Sequence, residues 1–516
     1  MTGTRNRRKP AEVLFLCTAF HFLLFFAGSV DYYSTILPRE ITRLTGTDAY
    51  SAPAAWGILA GYCVLFLLMI RIMLRLIRSV PLSAGLRERI RTGGDSRNIL
   101  LLLAVTAVPR IVWLLAGSPR LESDYALYVA MGMEYAGTGT LTISDYVLKI
   151  ASNVPLYTVL LGNMMRLFGS CAATAQWFCL LLYTGSVLLL YGIGRNMTTR
   201  SRALLAALLF SLLPENIFYA ALPGIEAPSM FTMLAGLLLI TGIGRQKTAG
   251  RIVMCIAGGA LIAFSACFRP NAWAAAGVAV IWLVCRFRFA IPLRRILAWI
   301  AAIAAGAAAV MIWHHAFQNR VYTGEKPAGM AIGWPLYEGL DMEGAGQWTQ
   351  EKSDHCRDVI QENSAKDADR IFMTEAWERF RGYSFFEKIR MFLRKGGSIW
   401  MDSSYAVSGK IDEGIRYALP AGASYVAWMI FISLWLACLV FRGLHPLAAG
   451  NARTGCVFCL AVVLLTALWH EFGTSISRYH YMVIPFMTLM TAMMIPGKME
   501  NEPPDDDAGS GKVKAA

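Results

Sequence analysis

The sequence predicts an all-α polytopic membrane protein, with about twelve transmembrane helices, interfacial helices in the first large outer loop and a small mixed domain outside the membrane. Three observations support this class. The chain of 516 residues is 56% hydrophobic, above the share that is typical of soluble domains. Only 16% of its residues are charged, and these cluster between apolar runs. The runs recur at lengths near the ~20 residues that a spanning helix needs.

Twelve runs are long and apolar enough to be interpreted as spanning helices. They lie near 12–30, 54–77, 98–117, 173–192, 203–220, 226–243, 252–268, 272–286, 296–314, 422–441, 455–472 and 481–496. The first run follows basic residues like those of a signal peptide, but the second run favours an uncleaved anchor. Two shorter stretches, 124–136 and 153–168, are predicted to be interfacial or re-entrant helices.

The distribution of basic residues predicts the orientation in the membrane. With the N-terminus in the cytoplasm, loops such as 78–97 and 193–202 place their arginines inside, and the polar regions 118–172 and 315–421 face outside. We therefore expect a multi-pass cell-membrane protein with both termini cytoplasmic and its active site extracytoplasmic. This use of basic residues also accounts for the net charge of +14, and no nucleic acid partner is predicted.

The same pattern divides the chain into five predicted parts. They are two additional transmembrane helices with a basic cytoplasmic loop in 1–97, a transmembrane core with the outer loop 118–172 in 98–314, an extracytoplasmic domain in 315–421, C-terminal transmembrane helices in 422–496 and a disordered cytoplasmic tail in 497–516. Most of the eleven cysteines fall inside apolar runs, which does not indicate a disulfide framework.

Ionisable residues gather at the predicted outer ends of the apolar runs, where charges are costly and usually face a cavity or a partner. Glu122 and Asp124 follow the third run, and Arg269 and Arg478 stand at outer ends against the positive-inside trend. Arginine grips phosphate through its bidentate fork, and a nearby carboxylate can act as general base. The pattern therefore indicates a phosphate-bearing lipid that meets a proton-abstracting acid. Other residues on this side are Arg110, Tyr125, Tyr128, Glu215, Glu226, His314, His315, His470, Glu471, Tyr479 and His480.

The ordered motifs resemble the lipid-sugar-dependent glycosyltransferases of the GT-C fold, in particular bacterial members of the protein mannosyltransferase-like (polyprenyl-phosphate-mannose-protein mannosyltransferase) family. The resemblance covers most of the chain from about residue 98. It is carried by ESDYALYVAMGMEYAGTG in the first outer loop, DYVLKIASNVPLYTVLLGNMMRLFGS after it, Glu226, Arg269 with Pro270, GWPLYEGLDMEGAGQW at the start of the outer domain, and Arg478, Tyr479 and Pro485.

The resemblance implies transfer of a sugar, a hexose such as mannose, from a polyprenyl-phosphate donor to an extracytoplasmic acceptor, with inversion. The residues that it implies are Asp124 and Glu122 as catalytic carboxylates, Arg269, Arg478 and Arg110 as donor-phosphate ligands, and Tyr125, Tyr128, Glu226, Tyr479 and His480 around the pocket. Many members carry two adjacent acids in the first loop, but here Ser123 separates them. Which acid is the base therefore stays open.

No cofactor is firmly predicted. A divalent cation, Mg²⁺ or Mn²⁺, held by Asp124 and the donor phosphate is compatible with the sequence, which does not decide the question. The four histidines at helix ends carry no zinc spacing, so a metal cluster there is the weaker interpretation. They are His314, His315, His470 and His480.

Each residue also has a structural alternative. Asp124 could cap the helix that follows it. Arg269 and Arg478 could extend to lipid headgroups, and Arg110 and Glu226 could form a buried pair. For the whole chain the alternatives are a transporter or flippase of lipid-linked sugars, a polymerase or ligase of surface polysaccharide, and a non-catalytic scaffold. Unequal halves and charges gathered at one face favour an enzyme over a transporter.

Overall fold

The computed structural model describes residues 9–45, 64–76, 94–117, 119–141, 151, 153–287, 290–321, 332–401, 405–406, 415–445, 447, 450–474 and 477–495. Over these ranges the regular secondary structure is helical, without a strand. Eight of the described helices are long and apolar enough to cross a membrane. The prediction of an all-α, multi-pass membrane protein is therefore confirmed.

The α-helices are numbered in chain order. They are α1 (Lys9–Thr45), α2 (Asp95–Gly117), α3 (Ser123–Thr138), α4 (Val154–Phe168), α5 (Ala172–Met197), α6 (Arg200–Leu212), α7 (Pro214–Tyr219), α8 (Glu226–Thr241), α9 (Thr248–Phe268), α10 (Trp273–Phe287), α11 (Leu293–Val321), α12 (Gly333–Gly339), α13 (Gln350–Glu362), α14 (Ala365–Gly382), α15 (Phe385–Trp400), α16 (Ile415–Leu444), α17 (Asn451–Phe472) and α18 (Ile484–Met494). A 3₁₀ helix, Ser477–Val483, leads into α18.

The twelve predicted runs and the eight spans differ at four places. Most of the run 54–77 lies outside the described residues, apart from the helical stretch 64–76. The run 203–220 is divided into α6 and α7, because Pro214 supplies no backbone N–H for a continuous helix. The runs 226–243 and 481–496 become helices of only 16 and 11 residues, α8 and α18. At ~1.5 Å per residue, each of these two α-helices is by itself shorter than a hydrocarbon core of ~30 Å.

The two predicted interfacial stretches are helical, as α3 and α4, and these two helices pack against each other. Gly162 makes their contact close, since a Cβ there would lie 2.8 Å from the carbonyl oxygen of Gly132. Helices α9 and α11 also meet at backbone distance. A Cβ on Gly259 would lie 2.1 Å from the Ile303 carbonyl oxygen. Small residues at such crossings are typical of membrane helix pairs.

Helices α12–α15 are the more polar helices of the chain, and we call them the polar helical segment; its last helix, α15, packs on α1 through Trp400 and Phe22. The segment has its own apolar cluster, built around Tyr337, Cys356, Phe372 and Met391. Helix α15 begins with a capping box, in which the Ser384 hydroxyl accepts from the N–H of the glutamate three residues on, while that glutamate accepts from Ser384 N–H. The predicted segment boundaries along the whole chain remain predictions.

Candidate active site

Ends of helices from distant parts of the sequence bring charged side chains together. Asp124 lies in the first turn of α3, and Glu226 is the first residue of α8. Arg269 follows α9, where Pro270 prevents the helix from continuing. Arg478 lies in the 3₁₀ helix before α18. Short, irregular connections between helices thus present two acids and two arginines to one another.

Arg478 is the centre of this group. Its Nη2 lies 2.8 Å from Asp124 Oδ2, and its Nε lies 3.9 Å from Glu226 Oε1. The arginine side chain is 8% exposed and the Asp124 side chain is 39% exposed. Asp124 is therefore the member of the pair that reaches the surface.

Arg269 forms an ion pair with Glu226 through Nη2 and Oε1. The Glu226 carboxylate, only 2% exposed, thus lies beside both arginines. It also stands at the N-terminus of α8, where the helix dipole favours a negative charge. Glu226 holds the two guanidinium groups near each other despite their mutual repulsion.

Aromatic rings surround the two arginines. The ring of Tyr479 has Arg269 at 5.3 Å and Arg478 at 5.6 Å from its centroid, and its face stacks on His470 at 4.7 Å. Tyr405 approaches Arg478 at 5.5 Å. Cation–π contacts of this kind fix guanidinium planes without using their N–H groups.

Several of these N–H groups lack an acceptor. Nε and Nη1 of Arg478, and Nε of Arg269, are buried and meet no hydrogen-bond acceptor in the part of the chain that the structure describes. Leaving a charged donor buried and unsatisfied is costly, so such groups call for an explanation. An anion between the two arginines would satisfy them.

The start of α3 is held in an unusual conformation. Ser123 has φ +53°, in the left-handed region that residues other than glycine rarely adopt. The helix cap is Glu122, and no side chain caps the helix, so Asp124 does not serve as the cap. Glu122 itself is exposed, and no ion pair joins it to another described residue. Of the two acids, only Asp124 is joined to the arginine group among the described residues, and which of them is the base remains a prediction.

The two predicted pocket tyrosines follow Asp124 on α3 and interact with it electrostatically. Tyr125 is 1% exposed and Tyr128 is 6% exposed. Burial raises the pKa of both phenols, so they stay neutral. The Tyr128 ring packs edge-on against Tyr157 of α4 at 5.4 Å. The contact between Tyr128 and Tyr157 thus packs the beginning of α3 against α4.

His480 follows Arg478 by two residues and is fully buried. Its Nε2 is 3.1 Å from Glu215, its Nδ1 is 2.5 Å from the Ile399 carbonyl oxygen, and its ring stacks on Trp428 at 4.5 Å. Because both ring nitrogens are engaged by the protein, His480 positions the 3₁₀ helix that carries Arg478. The assignment of His480 to the substrate pocket remains a prediction.

Arg110 lies apart from the other two arginines, inside α2. It is 1% exposed, and its Nη1 donates to the Thr106 carbonyl oxygen at 2.8 Å and contacts Ser211 Oγ at 3.5 Å. Its alternative pairing with Glu226 is not found among the described side chains. The assignment of Arg110 to the donor phosphate remains a prediction, and the structure does not bring this residue to the group around Arg478.

One acid near the site was not singled out from the sequence. Glu338, in α12 of the polar helical segment, is 4% exposed and accepts a 2.7 Å hydrogen bond from the Thr474 hydroxyl. It interacts electrostatically with Arg478 and Asp124. Glu338 belongs to the stretch GWPLYEGLDMEGAGQW, which is part of the motif series. The residues next to it, Tyr337 and Gly339, do not indicate that its side chain is buried.

The described residues contain no group of three or more His, Cys, Asp or Glu side chains that could hold a metal ion. Asp124 and Glu226 are both engaged by arginine, so as placed they do not fit a cation. The predicted Mg²⁺ or Mn²⁺ remains a prediction, and no step below depends on it.

No protein-family model matches the chain, and no curated protein matches it. Among solved structures, one match is the protein O-mannosyltransferase Pmt1-Pmt2 complex of S. cerevisiae bound to the sugar donor, 16% identical with a TM-score of 0.36 over 50% of this chain and 38% of that one. ArnT from Cupriavidus metallidurans bound to undecaprenyl phosphate is 15% identical with a TM-score of 0.38, over 77% and 76%.

A third match is the oligosaccharyltransferase of Archaeoglobus fulgidus in the apo form, 14% identical with a TM-score of 0.31 over 73% of this chain and 56% of that one. The chain thus spans 38% of the mannosyltransferase and 56% of the oligosaccharyltransferase. Two of the three are glycosyltransferases by name. At these TM-scores the likeness carries no functional conclusion, so the geometry of the site has to supply it.

Proposed function

We propose that the protein is a membrane glycosyltransferase that moves a sugar from a polyprenyl-phosphate donor to an acceptor on the extracytoplasmic face. The observation that carries this proposal is the set of buried Arg478 and Arg269 N–H groups without acceptors, beside the surface carboxylate Asp124. A phosphate between the arginines would receive these hydrogen bonds, which are strong because both partners are charged.

The reaction follows from this arrangement. Asp124 takes the proton of the acceptor hydroxyl, whose oxygen bonds to the anomeric carbon as the bond from that carbon to the phosphate oxygen breaks. The lipid phosphate leaves with the bonding electron pair, and the arginines stabilise the charge that develops on it. Attack opposite the leaving group inverts the anomeric centre. Arg478 binds Asp124 through Nη2 and keeps Nε and Nη1 for the phosphate, so one side chain links the base to the leaving group.

The decisive experiment measures transfer of labelled sugar from polyprenyl-phosphate donors in membranes. We expect Asp124→Asn to lower transfer by about 100-fold to 10,000-fold, because the general base is lost. Glu122→Gln is the matched control, since it neutralises an exposed acid two residues away, and it should retain transfer. Retained transfer by Asp124→Asn would remove that residue as the base.

Arg478→Gln tests the donor side. It should weaken the binding of undecaprenyl phosphate to the purified protein by about tenfold or more, since a charge-assisted contact is lost. The exposed Arg120, changed to Gln, is its control. The wild type could accept no polyprenyl-phosphate sugar as a donor and instead move labelled lipid across the bilayer of vesicles into which the protein is inserted. In that case the protein is a transporter.

A further inference from the structure

Helix α15 packs closely against the membrane helix α1. A Cβ on Gly28 of α1 would collide with the Leu393 carbonyl oxygen, so the two backbones touch at this point. Further along, the Trp400 ring meets the Phe22 ring edge-on at 5.0 Å. Residue numbers thus rise along α15 as they fall along α1, because the two helices run antiparallel.

One face of α15 makes this contact and continues beyond it. Apolar or small residues recur at intervals of three or four along this face, at Phe386, Ile389, Leu393, Gly396 and Trp400. The last three lie against α1. Phe386, in contrast, is 79% exposed and Ile389 is 40% exposed. The same apolar face is therefore covered by protein in its second half and left uncovered in its first half.

The rotation of α15 about its own axis is fixed from another side. Lys395 is fully buried, and its Nζ donates to the carbonyl oxygens of Gly339 at 2.7 Å, Glu471 at 2.6 Å and Gly473 at 2.9 Å. An ammonium group has three donors, and all three are used here. Because α15 is held to α12 and to the end of α17 in this way, the face that carries Phe386 stays turned away from them.

The uncovered half begins where the spanning part of α1 ends. The apolar run 12–30 stops before Asp31, and Leu393 lies beside Gly28. From Leu393 back to Phe386 the helix extends ~10 Å, at ~1.5 Å per residue, in the direction in which α1 leaves the membrane. Headgroups add roughly 5 to 8 Å to each side of the hydrocarbon core. Phe386 is therefore expected at the level of the lipid headgroups.

The exposed side chains beside this face have the chemistry of a membrane interface. Phe385 is 71% exposed. Lys388 Nζ lies 5.0 Å from the Phe380 ring, which stacks on the half-exposed Trp377 of α14 at 5.6 Å, and Arg381 lies 5.3 Å from the Trp377 ring. Between residues 378 and 395, six residues are basic and two are acidic. Aromatic rings favour the interface of a bilayer, and basic residues beside it are attracted to anionic headgroups.

We propose that the first half of α15 lies in the headgroup layer of the bilayer, with Phe385, Phe386 and Ile389 inserted among anionic lipids. The occupant of the uncovered face is the membrane in which α1 lies, because this face continues a contact with a membrane helix and is flanked by positive charge. The insertion holds the polar helical segment on the surface of the bilayer. It does not depend on the proposed function.

The test places a fluorescent probe on the face. Phe386→Cys is labelled with a maleimide whose fluorescence depends on its environment, and the full chain is reconstituted in nanodiscs of phosphatidylglycerol and phosphatidylethanolamine. Because Phe386 is exposed, the change does not disturb the core. Glu351→Cys, an exposed acid in the first turn of α13, is the matched control. The background for both carries Cys17→Ser, Cys63→Ser, Cys171→Ser and Cys285→Ser.

We expect lipids with a nitroxide near the headgroup to quench the probe at residue 386 at least about threefold more than the probe at residue 351, and iodide in the water to show the reverse order. Ile389→Cys should behave like Phe386→Cys. Equal quenching of residues 386 and 351 by both quenchers, or stronger iodide quenching at residue 386, would overturn the proposal.

The lipid charge is tested in the same discs. When phosphatidylcholine replaces both lipids, we expect lipid quenching at residue 386 to fall by at least about 1.5-fold, because the basic residues lose their anionic partners. Quenching at residue 386 that is the same in neutral and in anionic discs would overturn the part that the proposal gives to anionic lipids.

Discussion

At the scale of single residues, the sequence predicted the site residues best where a charged residue stands at the end of an apolar run. Arg269 and Arg478 stand at predicted outer helix ends, where arginine is uncommon, and Asp124 follows an apolar run. All three lie in one group with Glu226, which the motif series also pointed to. Residue type was informative because a charge at membrane depth needs a partner or a ligand.

The residues that sequence reasoning missed depend on distant contacts. Lys395 lies in an amphipathic helix rich in basic residues, and nothing local distinguishes it from Arg390 of the same helix, which is exposed. Its three acceptors come from residues 56 to 78 positions away. Arg110 is a different case, because its predicted role remains a prediction. An arginine inside an apolar run was conspicuous, yet its neighbours are Thr106 and Ser211, apart from the Arg478 group.

Glu338 gives a prediction on stability and pH. Burial raises its pKa to about 7, against the lowering by the Thr474 hydrogen bond and by Lys352 and Arg478, and Asp124 adds to the rise. Below the ordinary pKa of about 4.5 both folded and unfolded chains hold the proton. Between about 4.5 and about 7 only the folded chain holds it, so its contribution to folding stability falls as pH rises.

The measurement is the melting temperature of the purified protein from about pH 5 to about pH 8. Relative to Glu338→Gln, which has no proton to lose, the wild type should become progressively less stable over this range. Glu343→Gln should follow the wild type. A difference between wild type and Glu338→Gln that does not change with pH would contradict the raised pKa.

At the scale of elements, hydrophobic length located the long helices and failed where the chain is interrupted. The run 203–220 has the length of one span, but Pro214 ends it as two helices, α6 and α7. The break places Glu215 in the short α7, where it meets His480 of the 3₁₀ helix. Interrupted helices are tolerated in membranes where neighbouring protein satisfies the free backbone groups. The interruption therefore lets Glu215 contact the 3₁₀ helix that carries Arg478, through His480.

Lys395 joins α15 to α12 and to the end of α17, because its Nζ donates to the carbonyl oxygens of Gly339, Glu471 and Gly473, and this contact gives an element-scale prediction. Lys395→Met removes the only donor that joins the three carbonyl oxygens in the described chain, and leaves them buried without it. We expect the melting temperature to fall by at least about 3 °C and transfer to fall with it, since Glu338 and Thr474 lose their registration. The exposed Lys366, changed to Met, should alter neither quantity. A stable Lys395→Met protein with full transfer would show that this contact does not hold the site.

At the scale of the whole molecule, the described chain has one large apolar cluster, which the membrane helices and the end of α15 share, and a smaller one inside the polar helical segment. Tyr125 and Tyr128 of the candidate active site belong to the large cluster. The side of the membrane on which the site lies remains a prediction, made from the arginines of the short loops. The contacts between the polar helical segment and the membrane helices could not be predicted from the sequence. They join residues more than a hundred positions apart, such as Glu338 and Thr474.

A native cysteine can test on which side of the membrane the candidate active site lies. Cys171 is exposed just before α5, and the Thr174 hydroxyl lowers the pKa of its thiol, which favours reaction with a maleimide. The start of α5 lies on the same side as the loop that leads to Glu226, since Gln176 Nε2 donates to the Ala221 carbonyl oxygen at 3.1 Å. Labelling of Cys171 therefore reports the side on which Glu226 lies.

We expect a membrane-impermeant maleimide to label the protein in intact cells, and Cys171→Ser to remove that signal. The other exposed cysteines of the described chain, Cys17 and Cys285, lie in membrane helices and should be protected by lipid. Signal from Cys171 that requires permeabilised cells would place the site in the cytoplasm. A sugar donor and acceptor would then have to be sought on that side, and the basic loops would need a different explanation.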